Sequence, residues 1–420
     1  MPLHQQTYSL DHDRFTELLA KTENLLIIQD LDGVCMGLVK DPLNRKIETA
    51  YVEATQKFEG HFYVLTNGEH IGQRGVNGII ERAYGDPAQV KRAGRYLPGL
   101  AAGGVQWQNR QGEVEHPGVN EAELTFLKTV PDRIRIALKA FAVEQKLDLN
   151  AEILEQCIQS SALDNVASPT ANLNTFHAAL QGDRTTYVAL QEAMQTLMDI
   201  LLAEAKAQGL EDSFFVHYAP NHGRDASGHE IIWWSQANES GTTDFQFMLR
   251  GAIKEAGVLA LLNRYYAQRT GTYPLGEDFS VRKAPHEHAP LLNLVETHFD
   301  PVHMPLIVGV GDTVTSKVEM ADGELVAKRG GSDRNFLHLV QDIGRTCDRG
   351  NVVVYVDSSG GELKNRKALR LERLNSQEKV FEGPGDPRDE ADPLILNVVF
   401  PGGHVHYCNA FQSAAANRWR

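Results

Sequence analysis

Four short apolar runs, each of which ends abruptly in polar residues, constrain the fold of this chain more than any other feature. They span residues 24–30, 61–66, 304–310 and 351–356. Continuous apolar runs of this length are typical of parallel strands that are buried on both faces. The pattern predicts an α/β fold with a doubly wound, mostly parallel sheet, in which ligands bind outside the carboxyl ends of the strands.

A long segment between the second and third apolar runs has a different character. Residues 95–116 read as a hairpin that turns near Asn109–Gly112, and residues 120–208 read as mostly helical. Two further strands are predicted at 214–218 and 231–234. We therefore predict a core made of residues 1–74 and 241–420, with an α/β insert at 75–240.

Composition excludes several classes of partner. The chain of 420 residues carries a formal net charge of −14, which disfavours nucleic acid, because phosphate backbones are bound by clustered Lys and Arg. No run approaches the roughly 18 apolar residues of a membrane span. The four cysteines are widely spaced, which is typical of a cytoplasmic protein without a disulfide framework or zinc site.

The first apolar run leads into Asp30-Leu31-Asp32-Gly33, which places two carboxylates two residues apart where the chain leaves the sheet. One carboxylate can attack an electrophile while the other transfers protons, and Gly33 permits a tight backbone. Acidic turns are common, so this motif alone is weak evidence.

Three other motifs follow in order. The second run ends in Thr66-Asn67-Gly68, Lys254 lies just inside a predicted helix, and the third run ends in Gly311-Asp312. Each has an ordinary structural explanation, such as a loop or a surface lysine. Chance does not readily explain why all four motifs occur in this order along the chain.

This series of motifs resembles the phosphatases of the haloacid-dehalogenase family. The resemblance implies that Asp30 is the nucleophile, Asp32 the general acid and base, and that Thr66, Asn67 and Lys254 bind the phosphoryl group. It also implies a Mg²⁺ cofactor held by Asp30, Asp32 and Asp312. The Lys254 ammonium is expected about 3–4 Å from an Asp30 oxygen, as in a charge-assisted pair.

One position departs from the family pattern. The family usually supplies a second acid three to five residues after the Gly-Asp pair, but Thr315, Ser316 and Lys317 stand there. Either Asp312 serves alone, with waters completing the metal shell, or Asp333 folds back to help.

The position of the insert resembles a type-C2 cap, as in sucrose-phosphate and trehalose-phosphate phosphatases. Over nearly its full length, in motifs such as QDLDGVCM at 29–36 and SGTTDFQFMLRG at 240–251, the chain resembles phosphatases that complete the synthesis of a glucosylglycerol solute in salt-stressed photosynthetic bacteria. This implies 2-O-(α-D-glucosyl)glycerol 3-phosphate as the substrate and a functional coupling to the synthase that makes it. The candidate sugar contacts are Gly104, Trp107, His217, Tyr218, Asn221, His222 and Arg224.

Three alternatives stay open at this point. A trehalose- or sucrose-phosphate phosphatase would share every catalytic residue. A phosphomutase would have to hold and reorient a bisphosphate. A non-catalytic sugar-phosphate sensor would have no need of the proton-transferring Asp32.

Overall fold

The computed structural model describes most of the chain, which folds into two compact units. The described residues are 9–39, 42–180, 182–225, 227–236, 239–321, 324–363, 366–374, 377–385 and 392–418. The first unit contains Met1–His70, Val76–Gly118 and Gly251–Arg420. The second contains Ile71–Gly75 and Val119–Arg250.

The strands and helices are numbered along the chain. The strands are β1 Leu25–Gln29, β2 Phe62–Leu65, β3 Gly99–Ala101, β4 Gln106–Gln108, β5 Val114–Glu115, β6 Ala162–Leu163, β7 Thr170–Asn172, β8 Phe214–Ala219, β9 Asn221–Arg224, β10 Glu230–Ile232, β11 Asp244–Leu249, β12 Leu306–Gly311, β13 Thr315–Ala321, β14 Glu324–Gly330, β15 Val352–Val356, β16 Arg370–Leu374, β17 Gln377–Glu382 and β18 Val398–Phe400. The helices are α1 His12–Lys21, α2 Thr49–Gln56, α3 Val76–Tyr84, α4 Pro87–Arg92, α5 Glu121–Glu144, α6 Ala151–Ser161, α7 Asn174–Ala179, α8 Arg184–Ala207, α9 Lys254–Thr270, α10 His288–His298, α11 Arg334–Thr346 and α12 Gly403–Asn417.

The first unit is built on an eight-stranded sheet with the order β18-β15-β12-β1-β2-β3-β4-β5. The pairs from β18 to β3 are parallel, and β4 and β5 add an antiparallel edge. The four predicted apolar strands become β1, β2, β12 and β15, which lie next to one another. The predicted doubly wound α/β class is confirmed.

Helices pack on both faces of this sheet, which explains why its central strands are apolar throughout. On one face, Phe411 of α12 joins a core with Phe15 of α1 and Val354 of β15. On the other, α9 packs so tightly that a Cβ at Gly257 would lie 2.4 Å from the Leu65 side chain. Parallel strands covered on both faces need no polar alternation.

The second unit has a four-stranded antiparallel sheet with the order β6-β7-β11-β8. The apolar stripe predicted in the long helix is buried, as Tyr187, Leu190 and Met194 of α8 show. Along β11, Phe245, Phe247 and Leu249 are buried, whereas the alternate residues are partly exposed. The sheet therefore has one face covered by helices and one open, more polar face.

Strand pairing sets the limits of the two units. The hairpin predicted at 95–116 forms as β4 and β5, but β3 pairs with β2, so residues 76–118 cluster with the first unit. Strand β11 pairs with β7 and β8, so residues 241–250 cluster with the second. The proposed cap and the second unit thus share residues 119–240. Such pairings are long-range, and local periodicity does not encode them.

No helix among the described residues combines the length and hydropathy that crossing a bilayer requires.

Candidate active site

Asp30 follows β1 directly and lies at the carboxyl edge of the sheet. Its backbone N–H donates to the Val310 carbonyl at 2.9 Å, which continues the parallel pairing of β1 with β12. Its Oδ1 accepts from the Leu31 N–H at 2.8 Å, and the residue is only 6% exposed. The register of two adjacent strands therefore brings Asp30 and Asp312 to the same edge.

Lys254, the first residue of α9, forms the centre of a buried ion-pair cluster. Its Nζ lies 2.8 Å from Asp30 Oδ2 and 2.6 Å from Asp333 Oδ1. Its ammonium also lies 5.2 Å from the centre of the Phe336 ring. Burial opposes the charged form of Lys254, but the carboxylates of Asp30 and Asp333 outweigh burial and raise its pKa above the ordinary value. The lysine is therefore a fixed positive charge beside Asp30.

Asp333 reaches this cluster because a hairpin, β13–β14, separates it from Asp312. The two aspartates are 21 residues apart in sequence, yet Asp333 Oδ2 accepts the backbone N–H groups of Asp312 and Thr313, each at 2.9 Å. The Asp333 N–H donates to the Thr313 carbonyl at 3.1 Å. Of the two alternatives left open by the sequence, the geometry matches the one in which Asp333 folds back.

The three buried aspartates differ in their electrostatic surroundings. Burial, which the Lys254 charge offsets only in part, raises the pKa of Asp30 to about 7. Burial, followed by the charges of Asp333 and Asp30, raises the pKa of Asp312 well above its usual range, and the nearby Ser358 and Thr313 hydroxyls oppose this only in part. Burial alone would raise the pKa of Asp333 as well. The Lys254 ammonium and two backbone N–H groups outweigh burial and lower the pKa of that carboxyl. The cluster thus holds three carboxyl groups beside the single Lys254 charge, and ionisation is disfavoured at Asp30 and Asp312 but favoured at Asp333.

This donor set fits a hard divalent cation. One carboxylate oxygen from each of Asp30, Asp312 and Asp333 lies within 4.8 Å of the others. Among the described residues, no donor forms a hydrogen bond to Asp312 Oδ2, although this oxygen is buried. Mg²⁺ prefers oxygen ligands and is commonly bound through one or two carboxylates. The residues present therefore fit Mg²⁺.

Gly33 gives the Asp312 carboxylate its space. A Cβ at this position would lie 2.1 Å from Asp312 Oδ2, and the Gly33 φ angle is +78°. Both the close approach and the left-handed backbone require glycine. The glycine of the first motif thus contributes directly to the acidic cluster.

Asp32, the second acid of the first motif, lies outside that cluster and pairs with Arg45. Arg45 Nη1 lies 2.9 Å from Asp32 Oδ2 and 3.2 Å from Oδ1. The Asp32 side chain is 36% exposed, whereas that of Arg45 is 9% exposed. Arg45 was missed at the sequence level because no motif contains it and only the folded loop brings it to Asp32.

Thr66 follows β2 and lies at the same edge of the sheet as Asp30, because β1 and β2 are parallel neighbours. The residue is 3% exposed, its N–H donates to the Leu100 carbonyl at 3.0 Å, and its Oγ1 accepts from the Gly68 N–H at 3.3 Å. The adjacent Asn67 is exposed. A buried hydroxyl and an exposed amide are thus available beyond β2.

Two of the candidate sugar contacts belong to the first unit. Gly104 has a φ of +106°, and a Cβ there would lie 2.6 Å from the Val281 side chain. The Trp107 ring in β4 is covered by the Arg264 guanidinium at 4.3 Å and contacts the Tyr63 ring at 5.7 Å. Both positions therefore have structural contacts that account for the residue present.

The other candidates belong to the second unit and gather around Glu230, which the sequence did not single out. His217 Nδ1 and Arg224 Nη2 each lie 2.8 Å from a Glu230 oxygen. Asn221 Nδ2 donates to Glu230 at 3.2 Å, and the Tyr218 N–H donates to it at 2.8 Å. His222, which lies next to Asn221, contacts the Trp233 ring in a tilted arrangement, with 4.8 Å between the ring centres. The predicted residues thus form a polar cluster whose organising group is a carboxylate.

Comparisons with known proteins agree with the family that the motifs resemble. The sequence model described as glucosylglycerol-phosphate phosphatase matches residues 24–415. A protein of Synechocystis sp. (strain ATCC 27184 / PCC 6803 / Kazusa) named glucosylglycerol-phosphate phosphatase is 61% identical over 418 residues, which cover 100% of this chain and 99% of the relative.

Two solved structures are similar at 10% identity. Trehalose-6-phosphate phosphatase of Aspergillus fumigatus has a TM-score of 0.39, with 98% of this chain and 99% of that chain covered. The C-terminal domain of trehalose-6-phosphate phosphatase of C. albicans has a TM-score of 0.41, with 98% of each chain covered. At these values, the assignment to a family depends on the sequence matches.

The doubly wound sheet, with paired acids after its first core strand and a buried lysine beside them, has the haloacid-dehalogenase-like architecture that the motifs implied. Within this class, the chain belongs to the glucosylglycerol-phosphate phosphatase family, because both the family model and the relative from Synechocystis match nearly its whole length.

Proposed function

We propose that this chain is a Mg²⁺-dependent phosphatase that hydrolyses 2-O-(α-D-glucosyl)glycerol 3-phosphate to glucosylglycerol and phosphate. The observation that carries the proposal is the buried Lys254 between Asp30 and Asp333, beside the unsatisfied Asp312 oxygen. A phosphoryl group needs positive charge around its oxygens and a nucleophile in line with the leaving group. Family membership, with 61% identity to the relative from Synechocystis, supports the named substrate.

In this mechanism, Asp30 is the nucleophile and Asp32 transfers protons. An Asp30 oxygen attacks phosphorus, the bond from phosphorus to the leaving oxygen breaks, and an aspartyl phosphate forms. Asp32 donates a proton to the leaving alkoxide and then accepts one from the water that hydrolyses the intermediate. Arg45 holds the Asp32 carboxylate through both of its oxygens.

The neighbouring groups stabilise charge. Lys254 neutralises Asp30 and the phosphoryl oxygens together, and Thr66 and Asn67 donate to the phosphoryl group from the end of β2. Mg²⁺, held by the carboxylates of Asp30 and Asp312 and by the backbone at Leu31–Asp32, would supply further positive charge to these oxygens. Asp333 fixes Lys254 and the backbone that follows β12.

We further propose that the second unit acts as the cap that selects the sugar. The catalytic carboxylates and Lys254 interact with phosphate, which every sugar phosphate shares, so discrimination requires other polar groups. The open face of the β6-β7-β11-β8 sheet supports this role, since Asp244 and Gln246 alternate there with buried residues. His217, Tyr218, Asn221 and Arg224 are the further candidates in this unit, and Gly104 and Trp107 are those in the first.

The proposed setting is the cytoplasm, in the last step of compatible-solute synthesis under salt stress and coupled to the synthase that makes the phosphorylated precursor. The four cysteines support a reducing compartment, because each is buried and unpaired.

A turnover screen tests the proposal. We expect kcat/KM for glucosylglycerol 3-phosphate to exceed that for trehalose 6-phosphate, sucrose 6-phosphate and glycerol 3-phosphate by at least about tenfold, or roughly 1.4 kcal/mol of transition-state binding. Asp312→Ala should abolish activity or raise the Mg²⁺ requirement, and chelator should abolish turnover by the parent protein. A lead by another sugar phosphate would leave the chemistry intact but refute the substrate. Binding without any phosphate release would instead favour a sensor.

A further inference from the structure

A cavity of about 430 Å³ lies in the first unit at the carboxyl ends of β1, β15 and β18. Small-molecule sites typically have volumes of about 300–1,000 Å³. Gly33 lines the cavity, and so does Ser358, whose hydroxyl lies beside Asp312. The cavity therefore adjoins the catalytic carboxylates, but the proposed phosphoryl transfer leaves it unused.

The cavity contains a buried hydroxyl with acceptor capacity to spare. Ser358 is 6% exposed, and its hydroxyl lies beside the Asp312 carboxylate, where it opposes the rise in the pKa of that group. No other described group forms a hydrogen bond to Ser358 Oγ. A serine hydroxyl that donates to a carboxylate keeps its lone pairs, so it can still accept from a ligand. Helix α12 also begins at the cavity, at Gly403, and the N–H groups of a first helical turn have no partners inside the helix.

The charges around the cavity exclude an anion. Asp357 lines it and is 7% exposed, with its oxygens accepting the N–H groups of Ser359 at 2.9 Å and Leu369 at 3.1 Å. None of the described residues that line the cavity is Lys or Arg. An anion in the cavity would face the carboxylates of Asp357 and Asp312 without a compensating side-chain cation.

The remaining lining groups are suited to hydroxyls. Ser359 and the half-buried His404 add polar side chains. The His404 ring packs against Gly37, since a Cβ built at Gly37 would lie 3.1 Å from His404 Cε1. The site thus offers N–H and O–H donors together with carboxylate acceptors. A ligand that is uncharged and both donates and accepts hydrogen bonds satisfies all of these groups.

We propose that this cavity binds an uncharged polyhydroxyl group, held by Ser358, Ser359, His404 and the first turn of α12. Two sources share this chemistry: the sugar part of the bound sugar phosphate, and the free polyol that hydrolysis releases. The choice between these sources rests on the function proposed above, whereas the binding chemistry does not.

Variants at the cavity rim test this inference in the full-length protein. Ala368 is exposed and lines the cavity, so Ala368→Phe fills it without disturbing the core, and His404→Ala removes one polar contact. Ala88→Phe, at an exposed position of α4, is the matched control. Three quantities are measured with Mg²⁺ present: the Kd of free glucosylglycerol by calorimetry, the KM of glucosylglycerol 3-phosphate, and kcat/KM for p-nitrophenyl phosphate, which has no polyol.

We expect Ala368→Phe and His404→Ala to weaken polyol binding by about three- to tenfold, the range of one or two neutral hydrogen bonds. A rise in KM for the sugar phosphate with unchanged turnover of p-nitrophenyl phosphate identifies the substrate's own sugar as the occupant. A rise only in the Kd of free glucosylglycerol identifies the released polyol.

Two results would overturn the inference. One is parental values of both KM and Kd in both variants. The other is binding of free sulfate at the cavity, seen as a loss of sulfate affinity in Ala368→Phe but not in Ala88→Phe. If the parent protein hydrolyses p-nitrophenyl phosphate but not glucosylglycerol 3-phosphate, the proposed substrate fails, and the Kd of free glucosylglycerol still decides the inference.

Discussion

Replacement of Asp333 with Asn tests whether the buried pair with Lys254 holds the acidic cluster together. Asn keeps the shape of the side chain, and its Oδ1 can still accept the N–H groups of Asp312 and Thr313, which lie 2.9 Å from Asp333 Oδ2. Its Nδ2, however, would place a donor against the Lys254 ammonium, which lies 2.6 Å from Oδ1 in the parent. The substitution therefore removes the ion pair while it preserves the backbone contacts.

The expected cost follows from the burial of both partners. The side chains of Lys254 and Asp333 are 3% and 0% exposed, so solvent does not screen the loss. Removal of one member of a buried pair costs about 3–5 kcal/mol, because the other charge stays buried. Asp30 remains 2.8 Å from the Lys254 ammonium and compensates part of the lost attraction, so we expect a cost near about 3 kcal/mol. Asp333→Ala should cost about 1–3 kcal/mol more, since the two N–H groups lose their acceptor.

Equilibrium urea unfolding in chelator, followed by the same experiment with Mg²⁺, measures these differences. Lys254→Met and the double variant Lys254→Met/Asp333→Asn complete a double-mutant cycle. The double variant should be destabilised by clearly less than the sum of the single variants, with a coupling of at least about 2 kcal/mol. The reasoning would be refuted if Asp333→Asn lowered the free energy of unfolding by less than about 1 kcal/mol, or if the effects of the two single variants were additive. The ion pair would then contribute no more than an exposed pair does.

The further predictions concern four single positions. Asp30→Asn should reduce phosphate release to background with the fold intact, and Asp32→Asn should reduce it by about 10²-fold or more, the scale of lost acid–base catalysis; near-parental turnover by either variant would contradict its assigned role. Arg45→Gln should lower turnover in the parent but not in the Asp32→Asn background, and an equal effect in both would show that Arg45 does not act through Asp32. Burial lowers the pKa of His70 to about 4 from an ordinary value near 6.5, so the unfolded chain binds an extra proton between these limits. The contribution of His70 to stability should therefore fall by about 3 kcal/mol as the pH falls from about 6.5 to about 4. His70→Gln keeps a donor for the Gly99 carbonyl, so the urea midpoint of this variant should rise relative to that of the parent as the pH falls through this window; parallel profiles would contradict the prediction.

The sequence alone determined the four central strands of the main sheet and the order of the motifs. The apolar runs at 24–30, 61–66, 304–310 and 351–356 became adjacent central strands, since burial on both faces requires such runs and little else produces them. A sheet of this kind places the residues after its strands at one edge. That is why Asp30, Thr66 and Asp312, which follow three of these strands, lie at the same edge of the sheet.

The tertiary structure decided what depends on contacts between distant segments. The sequence left open whether Asp333 joins the site, because a hairpin separates it from Asp312 and no local pattern encodes where a hairpin returns. Arg45 and Glu230 carried no motif, and their importance follows only from the side chains that they contact. The limits of the two units depended on the pairing of β3 with β2 and of β11 with β8. Periodicity reports which face of an element is buried, whereas only the folded chain specifies the partner that buries it.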